Sequence, residues 1–178
     1  MIQRLFYVKR IVFGLLLLIF AVKAKAQEAT PKIYKDFDQL QYIFDLKNDT
    51  TYVINFWATW CAPCVAELPY FESLTDHYKN EKIKVILVSL DFEKQITKKL
   101  IPFIEKNKIK SEVVVLTDGK SNEWIGKVNE EWGGAIPVTY FYKGDFYIFE
   151  DGEFESFDEL TSIVDLFLKE DEPKTNSK

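Results

Sequence analysis

The sequence predicts an α/β fold, a mixed β-sheet flanked by helices on both faces. Three observations carry this. Apolar, β-branched runs at Thr51–Trp57, Ile83–Leu90 and Glu112–Leu116 alternate with segments of helical periodicity, the order that builds parallel strands with helical crossovers. Val138–Tyr142 and Phe146–Glu150 then flank Lys143-Gly144-Asp145 as a hairpin, which adds antiparallel strands. Finally, 47 % of the 178 residues are hydrophobic and 16 % aromatic, enough to build a core. At about 150 residues per domain the length suits one domain and a little extra.

The elements follow in chain order. Met1–Arg10 is a basic start, and Ile11–Val22 is a continuous apolar run of twelve residues. As a helix that run spans about 18 Å, against roughly 30 Å of bilayer hydrocarbon, so it suits the core of a secretory signal better than a membrane span. Ala24 and Ala26 supply small residues for a cleavage before Gln27, although Lys23 and Lys25 are unusual so near a cut. The expectation is a signal peptide over 1–26, with an uncleaved anchor as the alternative. Either way the rest of the chain, 27–178, is exported, to the periplasm or beyond. No other stretch is long and apolar enough to span a membrane.

Gln27–Ile33 reads as a tether, and the folded core is expected over about 33–168. Asp36 is placed to cap a helix through Lys47, with Phe37, Leu40, Ile43 and Phe44 on its apolar side. After the Thr51–Trp57 strand a helix runs from Cys61 to about Tyr78, with a kink expected at Pro69. Glu93–Lys106 is amphipathic through Ile96, Leu100, Phe103 and Ile104. Asp118-Gly119 is a turn, and Ser121 opens a helix carrying Trp124, Ile125 and Val128. Phe157–Leu168 closes the domain as a helix, and residues 170–178 form a charged tail expected to fray.

The net charge of −5 conceals a division. The first 26 residues hold Arg4, Lys9, Arg10, Lys23 and Lys25 and no acid; the remainder has 18 lysines against 28 acids and no arginine. An acidic surface without arginine repels phosphate backbones and lacks the residue that reads guanine bidentately, which argues against nucleic acid as a partner.

Chemistry concentrates in Asn55–Pro69, where a buried strand hands over to a helix at Trp60-Cys61-Ala62-Pro63-Cys64. A cysteine in the first turn of a helix faces unpaired N–H groups and the positive end of the macrodipole, and both favour the thiolate that attacks disulfides. Cys64 lies one turn on, on the same face, close enough to close a disulfide ring. Pro63 stiffens the turn where a missing N–H costs little. Cys61, the more exposed, is then the attacking thiol and Cys64 the resolving one. A structural bridge is the plain alternative, but so short a loop constrains little. A metal site is the other: two cysteines and His77 give three of the four ligands zinc usually takes, so no metal is expected.

The stretch resembles the active site of the thioredoxin superfamily, and Cys61-x-x-Cys64-x-x-Glu67-x-Pro69 more narrowly resembles the exported TlpA/ResA-type thiol–disulfide oxidoreductases. The resemblance implies a thioredoxin-like fold over nearly the whole exported part. It identifies Pro137, after Ile136, with the family's cis-proline before the terminal hairpin, beside the disulfide and next to a backbone that pairs with substrate. Asn55 falls where thioredoxin carries a buried acid, and it cannot titrate. Glu67 is the acid this pattern supplies near the dithiol, accepting or relaying the proton of Cys64 if burial raises its pKa; the alternative is a solvent-facing helix glutamate. Trp60 shapes the contact surface, whereas Trp57 packs. Trp124 and Trp132 are either core or a substrate-facing lip. His77, about 20 Å along the helix from Cys64, is a surface residue.

The implied function is reduction of disulfides in other exported proteins, apocytochromes among them, as in cytochrome c maturation. The cofactor is none beyond the Cys61–Cys64 disulfide, and a membrane thiol donor is the implied source of electrons. The membrane itself is a partner only through an uncleaved N-terminal segment. Rival readings are an oxidant or isomerase of the same fold, a peroxidase, a copper chaperone and a non-catalytic binding module. The peroxidase lacks its Thr-x-x-Cys arrangement around Thr59-Trp60-Cys61, and the copper reading needs one more residue between the cysteines and a histidine on another element.

Overall fold

The computed structural model describes residues 30–169, and the unit that begins at Pro31 is treated by itself. The leader over 1–26, its cleavage site and the tail 170–178 lie outside the described residues. Six strands form one sheet in the order β1-β4-β3-β2-β5-β6. They are β1 (Lys32–Tyr34), β2 (Thr51–Trp57), β3 (Ile83–Ser89), β4 (Glu112–Leu116), β5 (Val138–Lys143) and β6 (Phe146–Asp151). The first four run parallel, and β5 and β6 are antiparallel additions, so the sheet is mixed as expected.

Alternation along β2 assigns the two faces. Val53, Asn55 and Trp57 point to one side, and Tyr52, Ile54 and Phe56 to the other, although all seven positions are buried. The Val53 side is covered by helix α2 (Ala62–His77), a helical segment made of α3 (Glu93–Gln95), a π turn (Ile96–Leu100) and α4 (Ile101–Asn107), and α6 (Phe157–Lys169). The Phe56 side is covered by α1 (Phe37–Leu40) and α5 (Ser121–Val128). Trp124 and Trp132 both belong to this second core, packed with Phe56 at centroid distances of 6.2 and 4.8 Å, which decides between core and lip in favour of core.

Several elements differ from expectation. The tether contains β1, which pairs with β4 through Lys32–Tyr34. Asp36 caps α1 through a bond from the Asp38 N–H, but the helix stops at Leu40 and continues as a 3₁₀ turn (Gln41–Phe44). The apolar spacing explains it: Phe37, Leu40 and Ile43 recur every three residues, the period of a 3₁₀ helix. The Glu93–Asn107 segment carries a π turn that ends at Leu100, two residues before Pro102, whose ring and missing N–H spoil the ordinary ladder. Helix α2, by contrast, runs as expected with Pro69 inside it. The hairpin turn narrows to Gly144-Asp145, with Gly144 at φ +57°, where glycine costs least.

Candidate active site

Two chain segments and the start of α2 converge at the C-terminal ends of the parallel strands. Cys61 is the N-cap of α2, with extended backbone, and its sulfur accepts from the Cys64 N–H at 3.3 Å. Pro63 stands within the first two helical positions and is exposed. Cys61 and Cys64 form a disulfide with S–S 2.01 Å and Cα–Cα 5.3 Å. Cys61 keeps 6 % of its surface exposed and Cys64 none, so an incoming thiol or disulfide meets Cys61 first.

Opposite the disulfide, the Ile136–Pro137 peptide is cis. Pro137 is buried and Ile136 half-buried, and the Ile136 carbonyl oxygen lies 3.7 Å from Cys61 Sγ. A disulfide sulfur has no hydrogen to give, so this is a contact; a reduced Cys61 thiol finds an acceptor there. Trp132 holds the segment by donating from Nε1 to the Ala135 carbonyl at 2.7 Å, and the Gly152 N–H donates to the Pro137 carbonyl at 3.1 Å.

Glu67 follows Cys64 by three residues on the same buried face of α2 and is 1 % exposed. The cysteines, Glu67, Leu68, Phe71 and Leu74 form the buried stripe of that helix, which excludes the solvent-facing alternative. Asn55 Nδ2 donates to Glu67 Oε1 and the Phe154 N–H donates to Oε2, each at 2.9 Å. Burial pushes the Glu67 pKa up to about 7; the Phe154 and Asn55 donors pull it down, and nearby Glu153 pushes it up. Between the ordinary 4.5 and 7, the folded chain holds a proton that the unfolded chain has released. Stability is therefore greatest below that window and falls as pH rises through it, by roughly 3 kcal/mol. Denaturant midpoints of the oxidised protein at pH 5 and pH 8 are expected to show this loss, and Glu67→Gln to flatten it.

Other side chains here escaped sequence reasoning. Asp91, 1 % exposed, accepts from the Thr59 N–H at 3.0 Å, the Thr59 hydroxyl at 2.5 Å and the Ser89 hydroxyl at 2.9 Å. It thereby ties the loop before Cys61 to the end of β3. The next residue, Phe92, is 64 % exposed and stacks on Trp60, 51 % exposed, at 6.2 Å. Trp57 is wholly buried against Phe103, and His77 is exposed at the far end of α2, against Tyr78 and Phe157. Among the described residues no group of three or more His, Cys, Asp or Glu side chains is placed to hold a metal ion.

Fold and site together define a thioredoxin-like domain with a Cys61–Cys64 disulfide at a helix N-terminus. The comparisons agree. Residues 22–148 match the model of the AhpC/TSA family, and the chain belongs to that family. It is 30 % identical to the thiol-disulfide oxidoreductase ResA of Bacillus cereus, over 74 % of this chain and 72 % of that one. It is 34 % identical to ResA of Oceanobacillus iheyensis, over 51 % of this chain but less than half (43 %) of that one. The fold is similar to that of StoA from Bacillus subtilis, with a TM-score of 0.52 and 22 % identity over 67 % of this chain and 85 % of that one. No helix among the described residues is long and apolar enough to cross a membrane.

Proposed function

We propose that this protein is exported through residues 1–26 and reduces disulfides in other exported proteins, with apocytochromes of cytochrome c maturation as candidate clients. The observation that carries the reading is the difference between the two sulfurs. Cys61 keeps a little exposed surface at the start of α2, against the Ile136 carbonyl, while Cys64 has none and lies on the same buried stripe as Glu67, whose pKa is about 7.

The chemistry follows from that placement. In the dithiol form, the helix N-terminus stabilises the Cys61 thiolate, which attacks one sulfur of the client disulfide. The client's other sulfur leaves as a thiolate, and a mixed disulfide forms. Cys64 passes its proton to Glu67 and attacks Cys61 Sγ, releasing the second client sulfur. The client disulfide has gained two electrons and the dithiol has become the Cys61–Cys64 disulfide. A membrane thiol donor of electrons then restores the dithiol. Trp60, Pro63, Ile136 and Pro137 frame the client beside Cys61, with the backbone at Ile136 pairing with an extended client segment.

The reduction potential of the pair tests the direction of electron flow. A reductant is expected at or below the thioredoxin value of about −270 mV; a potential well above it would assign the protein to the oxidants or isomerases.

A further inference from the structure

Asn55 stands at the centre of β2 with no exposed surface, on the face packed beneath α2. Its neighbours on that face, Val53 and Trp57, are apolar, yet two polar groups reach it. One is Glu67 on α2 and the other is Thr139, its partner in register on β5. Nδ2 donates to Glu67 Oε1 at 2.9 Å and to Thr139 Oγ1 at 3.0 Å, which uses both amide hydrogens. The amide oxygen, Oδ1, is buried and has no partner. A buried acceptor left unmade costs free energy, so its retention at the heart of the site asks for a reason.

The protonation of Glu67 supplies one. As a carboxylate, Glu67 accepts from Asn55 and from the Phe154 N–H, an arrangement suited to the charged form. As a carboxylic acid it carries an O–H that needs an acceptor. Asn55 Oδ1 is the unpartnered acceptor belonging to a residue already bonded to it. A half-turn of the amide about its Cβ–Cγ bond brings Oδ1 to the position of Nδ2. Glu67 and Thr139 can then each donate a hydroxyl hydrogen to it, while the NH2 group moves to the place Oδ1 held and gives up its two bonds in exchange.

We propose that Asn55 is a positioning residue whose amide turns with the protonation of Glu67, giving N–H to the carboxylate and C=O to the acid. The proposal deepens the reading of Glu67 as the acceptor of the Cys64 proton. The groups acting on Glu67, besides its burial, are the Phe154 N–H, the Asn55 amide and the charge of Glu153 in the segment after β6. The sheet itself contributes only the uncharged Asn55 and Thr139 at this point.

The test is NMR titration of the intact protein, following the Glu67 carboxyl carbon and the Asn55 side-chain amide together. The amide resonances are expected to move with the same midpoint as the carboxyl. Below that midpoint the contacts of the Asn55 NH2 hydrogens with the Glu67 and Thr139 side chains are expected to weaken, as the amide presents its oxygen to them instead. Amide resonances that stay still through the Glu67 midpoint overturn the proposal, as do NH2 contacts with Glu67 and Thr139 that persist unchanged below it. The wild-type titration needs no variant to fold. If Glu67→Gln resolves mixed disulfides normally, the relay reading fails, whereas the coupling between Asn55 and Glu67 is judged by the titration alone.

Discussion

Cys61→Ser is expected to bring disulfide-reductase turnover down to the uncatalysed background while leaving the fold intact. Among the 178 residues there are two cysteines, so nothing can take over as the attacking thiol at the surface. Cys64 is not a substitute, because it has no exposed surface and lies under the helix start that Cys61 caps. The fold should survive, since the disulfide closes a loop with only Ala62 and Pro63 inside it and such a ring restrains the unfolded chain little. Its contribution is small beside the burial of Trp57, Phe71, Phe141 and Phe167 in the core on that side of the sheet. Turnover of a disulfide-bonded protein substrate, with thermal unfolding as the control, checks both halves.

The second large effect is expected at Glu67. Glu67→Gln keeps the size of the side chain but removes the group that takes the Cys64 proton. The resolving step should slow on the order of 10²-fold at pH 8, a typical cost for losing a positioned base. In the native protein, that step should accelerate as pH rises through about 7, where Glu67 ionises, and the variant should lose this inflection. The first step, attack by Cys61, should change little. Rapid-mixing kinetics that separate formation of the mixed disulfide from its decay read the two steps independently. A Glu67→Gln protein with both steps slowed equally would point to a disturbed helix rather than a lost base.

How much of this was legible beforehand depends on the range of the interaction. The strands and their alternation with helices were readable, because burial on both faces leaves runs such as Ile83–Ser89 almost wholly apolar. The three-residue β1 was not, since its pairing depends on β4 some eighty residues later and only Tyr34 of its three residues is buried. The π turn was hidden because the apolar period of Glu93–Asn107 remains helical even where Pro102 alters the ladder. At the site, the cysteines stood out through local spacing, and Pro137 through the family resemblance. Glu67 could be placed on the buried stripe by counting from Cys64, but its raised pKa comes from burial by the folded chain, opposed by the N–H of Phe154, 87 residues away. Asp91 had the faintest signal, a Ser-x-Asp at a strand end, and its bonds to Thr59 cross 32 residues. Asn55 could be recognised as a residue that does not titrate; the unpartnered oxygen of its amide is visible only in three dimensions.

The most direct test of the central claim is to expose the Cys64→Ser protein to disulfide-bonded exported proteins and weigh what remains attached. The account predicts a covalent adduct through Cys61, released by a small thiol and missing when Cys61 is also replaced by serine. No adduct, or one that forms equally well without Cys61, would contradict it.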